Sequence, residues 1–347
     1  MPRLILPRTF ALMTLLIGLY TLVPAQDEPL YDALTKTFKT KYLNVGILFQ
    51  AVGDFQSERS FPGKNGFNVS NMRLNISGEL DHGFGYAFKT NFINSPAILD
   101  AKAYYASSPQ LIFDIGLFKP PFSKEYLTGA GGIDFVNRAL AVTALAGSRQ
   151  LGVQVRGASD DKLVSYGIGM FNGNGFGGNN NDNNDFMYVG RIAIMPKLSR
   201  SDSKTDEMEF GLSLGHSDDK NATIGGGILP SFDGQRTLFG GDVRWSHQRV
   251  TLSAEAIGAH LQHRLGGTNN PNGYHLTAGY MITDNSQLLA RWESFMPDGL
   301  AADSKLLIFG YNLWPTSVTE LQLNYIIRTT DSELKHHQVL VNAQFAF

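Results

Sequence analysis

Cysteine is absent from the 347 residues. That excludes disulfide frameworks, thiolate metal sites, thiol nucleophiles and a lipidated N-terminal cysteine. Charge is sparse, at 17% of residues, and nearly balanced, with a formal net charge of −2. A global electrostatic grip on nucleic acid is therefore not expected. Past residue 25, no apolar run reaches the roughly 20 residues that a membrane-spanning helix needs. A membrane β-barrel is untouched by that absence, because only every second residue of its strands is apolar. What is present is glycine, 37 in all, and aromatics at 11%.

Residues 1–25 carry the order of a secretory signal peptide. Arg3 and Arg8 form a short positive region, Phe10–Val23 is largely apolar, and Val23-Pro24-Ala25 supplies small residues ahead of a break. Cleavage is expected after Ala25. Residues 26–40 read as a short periplasmic segment, and 41–347 as the main fold.

From Leu43 the chain falls into a period of two. Leu43, Val45, Ile47, Phe49, Ala51 and Phe55 share one face, and Asn44, Gln50 and Asp54 the other. Successive side chains of a strand point to opposite sides, so this pattern predicts half-polar strands. It recurs about sixteen times up to 336–347, in segments of roughly 8–13 residues. The connections sort by parity. Even-numbered ones are mostly tight, such as Asp81-His82-Gly83 and His247-Gln248-Arg249. Odd-numbered ones are longer, including Gln56–Gly66, Lys119–Gln150, Asn172–Asp185, Ser217–Arg236 and Gln262–Gly273. Pro196–Asp206 breaks the rule. A β-sandwich has no reason to sort its loops this way, whereas a barrel in an outer membrane presents one rim to the periplasm and one to the outside.

Charge follows the polar face. Arg73, Lys89, Lys102, Arg156, Arg191, Arg244, Arg291 and Arg328 lie opposite the apolar residues, with Asp54, Glu79, Asp100, Asp114, Glu209, Asp242, Glu255, Glu293 and Glu320. An Arg or Lys facing mid-bilayer lipid costs about 2–4 kcal/mol. At about sixteen strands the interior is too wide for side chains to fill. The polar face therefore belongs to a water-filled lumen and the apolar face to lipid. Tyr42, Phe84, Tyr105, Tyr188, Trp245, Trp314, Phe345 and Phe347 lie near strand ends, where interfacial aromatics sit. The fold class expected is all-β: a transmembrane antiparallel up-and-down barrel.

Gly116-Leu117-Phe118-Lys119-Pro120-Pro121-Phe122-Ser123-Lys124-Glu125, then Phe135-Val136-Asn137-Arg138, Arg149–Gln154 and Tyr166–Gly173, resemble the phosphate-selective porin O and P family. The likeness runs from about Asn71 to Phe347 and is densest over 111–175. It implies sixteen strands, a homotrimer, a third external loop folded into the pore, and anions, phosphate above all, passing along lumenal arginines and lysines.

The residues support part of this. Residues 119–150 form the longest connection, a length that within a compact fold is usually functional. Its apolar, helix-like stretch Phe135–Leu145 would be poorly placed in open water. Folded inward as a constriction, the loop would bring Lys119, Lys124, Arg138 and Arg149 to the flow path, against Glu125 and Asp134. The wall itself, with eight cations and nine acids, carries no cationic surplus. Each wall arginine is therefore equally readable as the partner of an acid such as Asp242 or Glu293.

Several motifs compete. Gly211-Leu212-Ser213-Leu214-Gly215 matches the hydrolase G-x-S-x-G pattern but lies inside a strand pattern, without the following helix. Gly173–Gly178 fits G-x-G-x-x-G with no helix after it. Asp182 and Asp185 do not match standard calcium spacing. His260 with His263, and His336 with His337, lack a third zinc ligand. No cofactor and no catalytic or metal-binding residue is expected. The leading reading is a passive outer-membrane porin for small hydrophilic solutes or inorganic anions, surrounded by lipid bilayer and lipopolysaccharide, with no nucleic-acid partner. The alternatives are a barrel enzyme of lipase or protease type, and a plugged structural or adhesin barrel.

Overall fold

The computed structural model describes residues 35–56, 65–93, 97–173, 175, 180–196, 206–224, 228–330 and 336–347. The expected leader and residues 26–34 lie outside these. Sixteen long strands are described. The first eight are β1 (Asn44–Gln56), β2 (Gly66–Glu79), β3 (Phe84–Asn91), β4 (Ile98–Ser108), β5 (Leu111–Phe118), β6 (Gln150–Ala158), β7 (Val164–Phe171) and β8 (Met187–Ile194). The rest are β9 (Glu207–Ile224), β10 (Leu229–His247), β11 (Val250–His263), β12 (Asn272–Thr283), β13 (Ser286–Met296), β14 (Ser304–Thr316), β15 (Thr319–Arg328) and β16 (His337–Ala346). A two-residue piece, Thr268–Asn269, pairs with the end of β11.

Each strand pairs antiparallel with its neighbours in sequence, and β1 pairs with both β2 and β16. The β1–β16 register runs from Leu48 opposite Ala346 to Gln56 opposite Gln338. Ile47 and Phe347 exchange backbone hydrogen bonds at 2.9 and 3.0 Å, so the terminal aromatic completes the seam. Closure leaves no sheet edge to be satisfied in hydrocarbon.

The period-two pattern becomes two faces. Phe210, Leu212 and Leu214 of β9 point outward and are exposed, while Ser213 between them is buried. Phe113 and Ile115 flank the inward Asp114 in the same way. Inside, amides cross-link neighbouring strands: Asn342 donates to Gln322 at 2.9 Å, and Gln338 to Asp54 at 2.8 Å. Phe84 and Tyr105 pair across β3 and β4 on the outer face, with rings 5.0 Å apart. Gly83, at φ 83, closes the tight β2–β3 turn in a left-handed conformation that other residues adopt only with strain.

The connection expected over Ser217–Arg236 is instead mostly strand. The described part of β9 runs to Ile224 and β10 resumes at Leu229, making a hairpin far longer than its neighbours. The alternation persists there, but in polar residues. Ser217 and Asp219 point inward, with Asp219 paired to Arg236 at 2.8 Å. Ala222, Ile224 and Phe232 are buried. A hydrophobic pattern could not reveal that extension, because its inward face mixes Ser217, Asp219 and Arg236 with Ala222, Ile224 and Phe232. β1 ends at Gln56 and β2 begins at Gly66, the bounds of the expected connection, and β2 pairs back to Asp54 across an irregularity at Gln50.

Candidate functional site

Residues 119–149 link β5 to β6. The path departs from the sheet at Pro120-Pro121, which lack the N–H groups a ladder needs. Ser123 follows at φ 65, and its hydroxyl accepts from Tyr126 N at 3.1 Å, capping the short helix α1 (Lys124–Leu127). The Glu255 carboxylate of β11 accepts from the backbone N–H groups of Lys124 and Glu125, both at 3.1 Å. Glu125 in turn accepts from Arg291 Nη2 of β13 at 2.6 Å and from Ala139 N at 2.9 Å.

Beyond α1 the segment is held by side-chain amides. Gln50 donates to Ala130 O at 3.3 Å, Gln322 to Ile133 O at 3.1 Å, Asn312 to Asp134 O at 2.8 Å, and Gln344 to Gly131 O at 3.1 Å. Val136 N donates to Asn324 Oδ1 at 2.8 Å. Between these bonds Phe135, 1% exposed, packs against inward apolar residues Val52, Leu289, Leu306, Ile308, Ile326 and Leu340. The Arg291 guanidinium lies 4.3 Å from its ring centre. Helix α2 covers only Leu140–Leu145 of the expected Phe135–Leu145 stretch. The Asn324 bond and the extended backbone of Ala139 take the preceding residues out of a helix.

The cations divide into two groups. On the wall most are paired: Lys102 and Arg156 with Asp114 at 3.1 and 2.6 Å, Arg191 with Asp242 and Glu209, Arg244 with Asp134 at 3.4 Å, and Arg291 with Glu125. Lys124, expected with the constriction set, pairs with Glu209. Arg328 at the end of β15 bonds through its backbone N–H to His336 O at 3.2 Å.

The second group is unbalanced. Arg149 bonds Asp100 at 2.6 Å, and Lys89 reaches the same carboxylate at 3.4 Å. Lys119 donates to the carbonyls of Tyr126 and Thr128 and lies 4.7 Å from the Tyr126 ring centre. Arg138 donates to Glu125 O at 3.1 Å and to Thr128 O at 2.6 Å. Bonds to main-chain carbonyls orient these cations without cancelling their charge. Arg73 of β2 senses the charges of Arg149, Arg138 and Asp100. Lys119 senses Arg138, Arg149, Asp100 and Lys89. Arg73, Lys89, Lys119 and Arg149 thus gather around Asp100, while Arg138 beside them senses Glu125. Burial, reinforced by Arg138 and Arg149, pushes the Lys119 ammonium down to about 6.

A cavity of about 430 Å³ separates this segment from the wall of β6–β9, lined by Lys119, Lys124, Gln154, Arg156, Arg191 and Glu209 among others. The competing motifs take ordinary places. Ser213 Oγ accepts from Ser123 N at 3.4 Å and from Arg191 Nη1 at 3.2 Å, so its oxygen serves as an acceptor in a polar packing contact. His260 and His263 are engaged by Asn270 and Asn269, and His337 stacks on Tyr325. Asn181, Asn183 and Asp185 bond to one another, and Asn183 also donates to Asp218 O of β9 at 2.6 Å. Most of Gly173–Gly178 lies outside the described residues.

Sequence reasoning missed the apolar seat of Phe135. Its signal was available in Val52, Leu306, Ile308 and Leu340, apolar residues on faces that should have been polar. It also missed Ser123 and His275, which no pattern distinguishes from other strand or loop polar residues.

Residues 43–238 match the family profile described as Phosphate-selective porin O and P. The chain resembles an anion-selective porin from Comamonas acidovorans at 13% identity, covering 88% of this chain and 99% of that one, with a TM-score of 0.62. It resembles OmpT, an outer membrane protein of Vibrio cholerae, at 12% identity over 88% and 99%, with a TM-score of 0.61. The outer membrane channel DcaP of Acinetobacter baumannii is similar at 11% identity over 88% and 97%, with a TM-score of 0.60. At these identities the likeness is one of fold. A search of curated proteins gives no match.

Proposed function

Because the chain belongs to the phosphate-selective porin O and P family, we propose that it is an outer-membrane porin with an anion-preferring constriction. Small hydrophilic solutes diffuse passively through its water-filled lumen. Residues 119–149 cross the lumen and narrow it against the wall of β2–β8. The observation that carries the selectivity reading is the patch of Arg73, Lys89, Lys119, Arg138 and Arg149 around Asp100. Charged side chains beside a narrow path select ions by field and by replacing hydration water. Arginine forks further suit tetrahedral or planar oxyanions. Arg191, Arg244 and Arg291 contribute less to selection, because each already answers an acid, whereas Lys102 and Arg156 share Asp114.

In the same reading the chain is delivered by a leader cleaved after Ala25. Residues 26–40 lie in the periplasm, and the mature barrel assembles as a homotrimer with its outer rim among lipopolysaccharide. Reconstitution into planar bilayers tests the function. Discrete water-filled conductance with a reversal potential favouring anions in a salt gradient is expected. Silence would sink the porin reading, and a cation-selective current would sink the patch as its selectivity element.

Lys119 adds a pH dependence. Its ammonium is depressed to about 6, so the positive charge is present below that pH and lost above it. Anion preference should therefore decline as pH rises from about 5 to about 8. Lys119→Met should flatten the step in reversal potential. A step of unchanged size in that variant would assign the titration to another group.

A further inference from the structure

His275 of β12 stands in a row of carboxylates. Its cross-strand partners are Glu255 on β11 and Glu293 on β13, and all three residues are buried. Glu125 of α1 reaches the same place from the 119–149 segment. The His275 Nε2 lies 3.7 Å from one oxygen of Glu125 and 3.7 Å from one oxygen of Glu255. Neither ring nitrogen has a hydrogen-bond partner, although the residue is only 4% exposed. The imidazole thus bridges a carboxylate of the wall and a carboxylate of the segment at ion-pair distance.

Those two carboxylates hold α1 in place. Glu255 accepts from the backbone N–H groups of Lys124 and Glu125, both at 3.1 Å, and Glu125 accepts from Ala139 N at 2.9 Å. The charges facing the imidazole come from three elements: Glu255 from β11, Glu293 and Arg291 from β13, and Glu125 from α1. Arg291 binds Glu125 at 2.6 Å, stands 4.0 Å from Glu293, and donates to Thr277 of β12 at 3.1 Å. Lys124 turns away to Glu209, and Arg138 donates to the main-chain oxygen of Glu125. Beside a neutral imidazole, three carboxylates therefore face one guanidinium. Beside an imidazolium they face two cations.

The tautomers point the same way. A proton on Nδ1 alone would aim the Nε2 lone pair at two carboxylates. A proton on Nε2 alone leaves Nδ1 a buried acceptor without a donor. Only the doubly protonated ring carries positive charge toward both carboxylates. Histidine is also the side chain whose charge ordinarily changes between about pH 5 and 8.

We propose that His275 is a proton-operated latch for the 119–149 segment. Charged, it draws Glu125 and Glu255 together and keeps α1 seated. Neutral, it leaves Glu125, Glu255 and Glu293 repelling one another around Arg291 alone, and the seat loosens. A cation that stabilises the docked state makes docking strongest in acid and weaker as pH rises. The latch requires only the docked segment; its effect on current rests on the porin reading.

Ala139→Cys and Thr143→Cys, made separately, read the latch without current. Ala139 is fully buried beside Glu125, whereas Thr143 is exposed on α2 of the same segment. Both are labelled in folded protein in detergent with a small uncharged thiol reagent. The ratio of the rate at 139 to that at 143 cancels the effect of pH on the thiol itself. That ratio should be low at about pH 5.5 and about ten-fold higher at about pH 8.5. With His275→Gln it should stay at the higher value throughout. Glu255→Gln, which keeps an acceptor for the two N–H groups, should reduce the rise. A flat ratio with His275 in place, or a rise of undiminished size in either variant, would overturn the proposal. A protein whose ratio moves as expected yet passes no current would keep the latch and remove the porin reading.

Discussion

Lys119, Arg138 and Arg149 replaced together by glutamate should invert the ion selectivity of the channel. Five cations beside Asp100 and Glu125 would become two cations among five carboxylates. The reversal potential in a salt gradient should change sign, with little change in the barrel itself. The expectation is largest below about pH 6, where Lys119 is charged: Lys119 and Arg138 donate to backbone carbonyls, and Arg149 shares Asp100 with Lys89. Arg138 also ties α1 to the rest of the segment, so Lys119→Glu with Arg149→Glu alone should shift the potential in the same direction. Were selectivity unmoved by either variant, the flow path would run elsewhere.

Arg291→Leu should release the inward segment from its seat. Arg291 is 2% exposed, bonds Glu125 at 2.6 Å and lies over Phe135. Its removal leaves Glu125 buried without its cation, beside Glu255 and Glu293. Breaking such a buried pair costs about 3–5 kcal/mol. Phe135→Ala empties the apolar half of the same seat, at a comparable cost of about 3–5 kcal/mol. Neither change touches the strand ladders. Single-channel conductance should therefore become larger and noisier, while the heat-resistant gel mobility of the folded barrel is kept. Unchanged conductance with a destabilised barrel would show that the segment supports the wall and does not narrow the passage.

Most of the wall was readable because lipid and water impose a period of two on every strand that meets both. Where only water is present the rule lapses. The β9–β10 hairpin beyond Gly215 carries Ser217, Asp219 and Arg236 on its inner face, so its sequence resembles a loop although its backbone is paired. The 119–149 segment was legible as a long connection with an apolar stretch. Its docking was not, since the amides Gln50, Asn312, Gln322 and Gln344 read equally as a bare hydrated lining. The few apolar residues on that polar face, Leu306 and Ile308 above all, were the trace of a buried partner. The charged residues could be named but not matched. Whether an arginine answers an acid depends on neighbours brought together across strands, as with Arg191 and Asp242, fifty-one residues apart.

Thiol labelling along β6 tests the orientation of the two faces most directly, since the protein has no cysteine of its own. Val153→Cys, Gln154→Cys, Val155→Cys and Arg156→Cys would each be treated, in vesicles, with a charged thiol reagent that cannot enter hydrocarbon. Reaction at positions 154 and 156, with silence at 153 and 155, is the predicted result. The opposite alternation, or silence at all four, would contradict a hydrophilic passage enclosed by an apolar exterior.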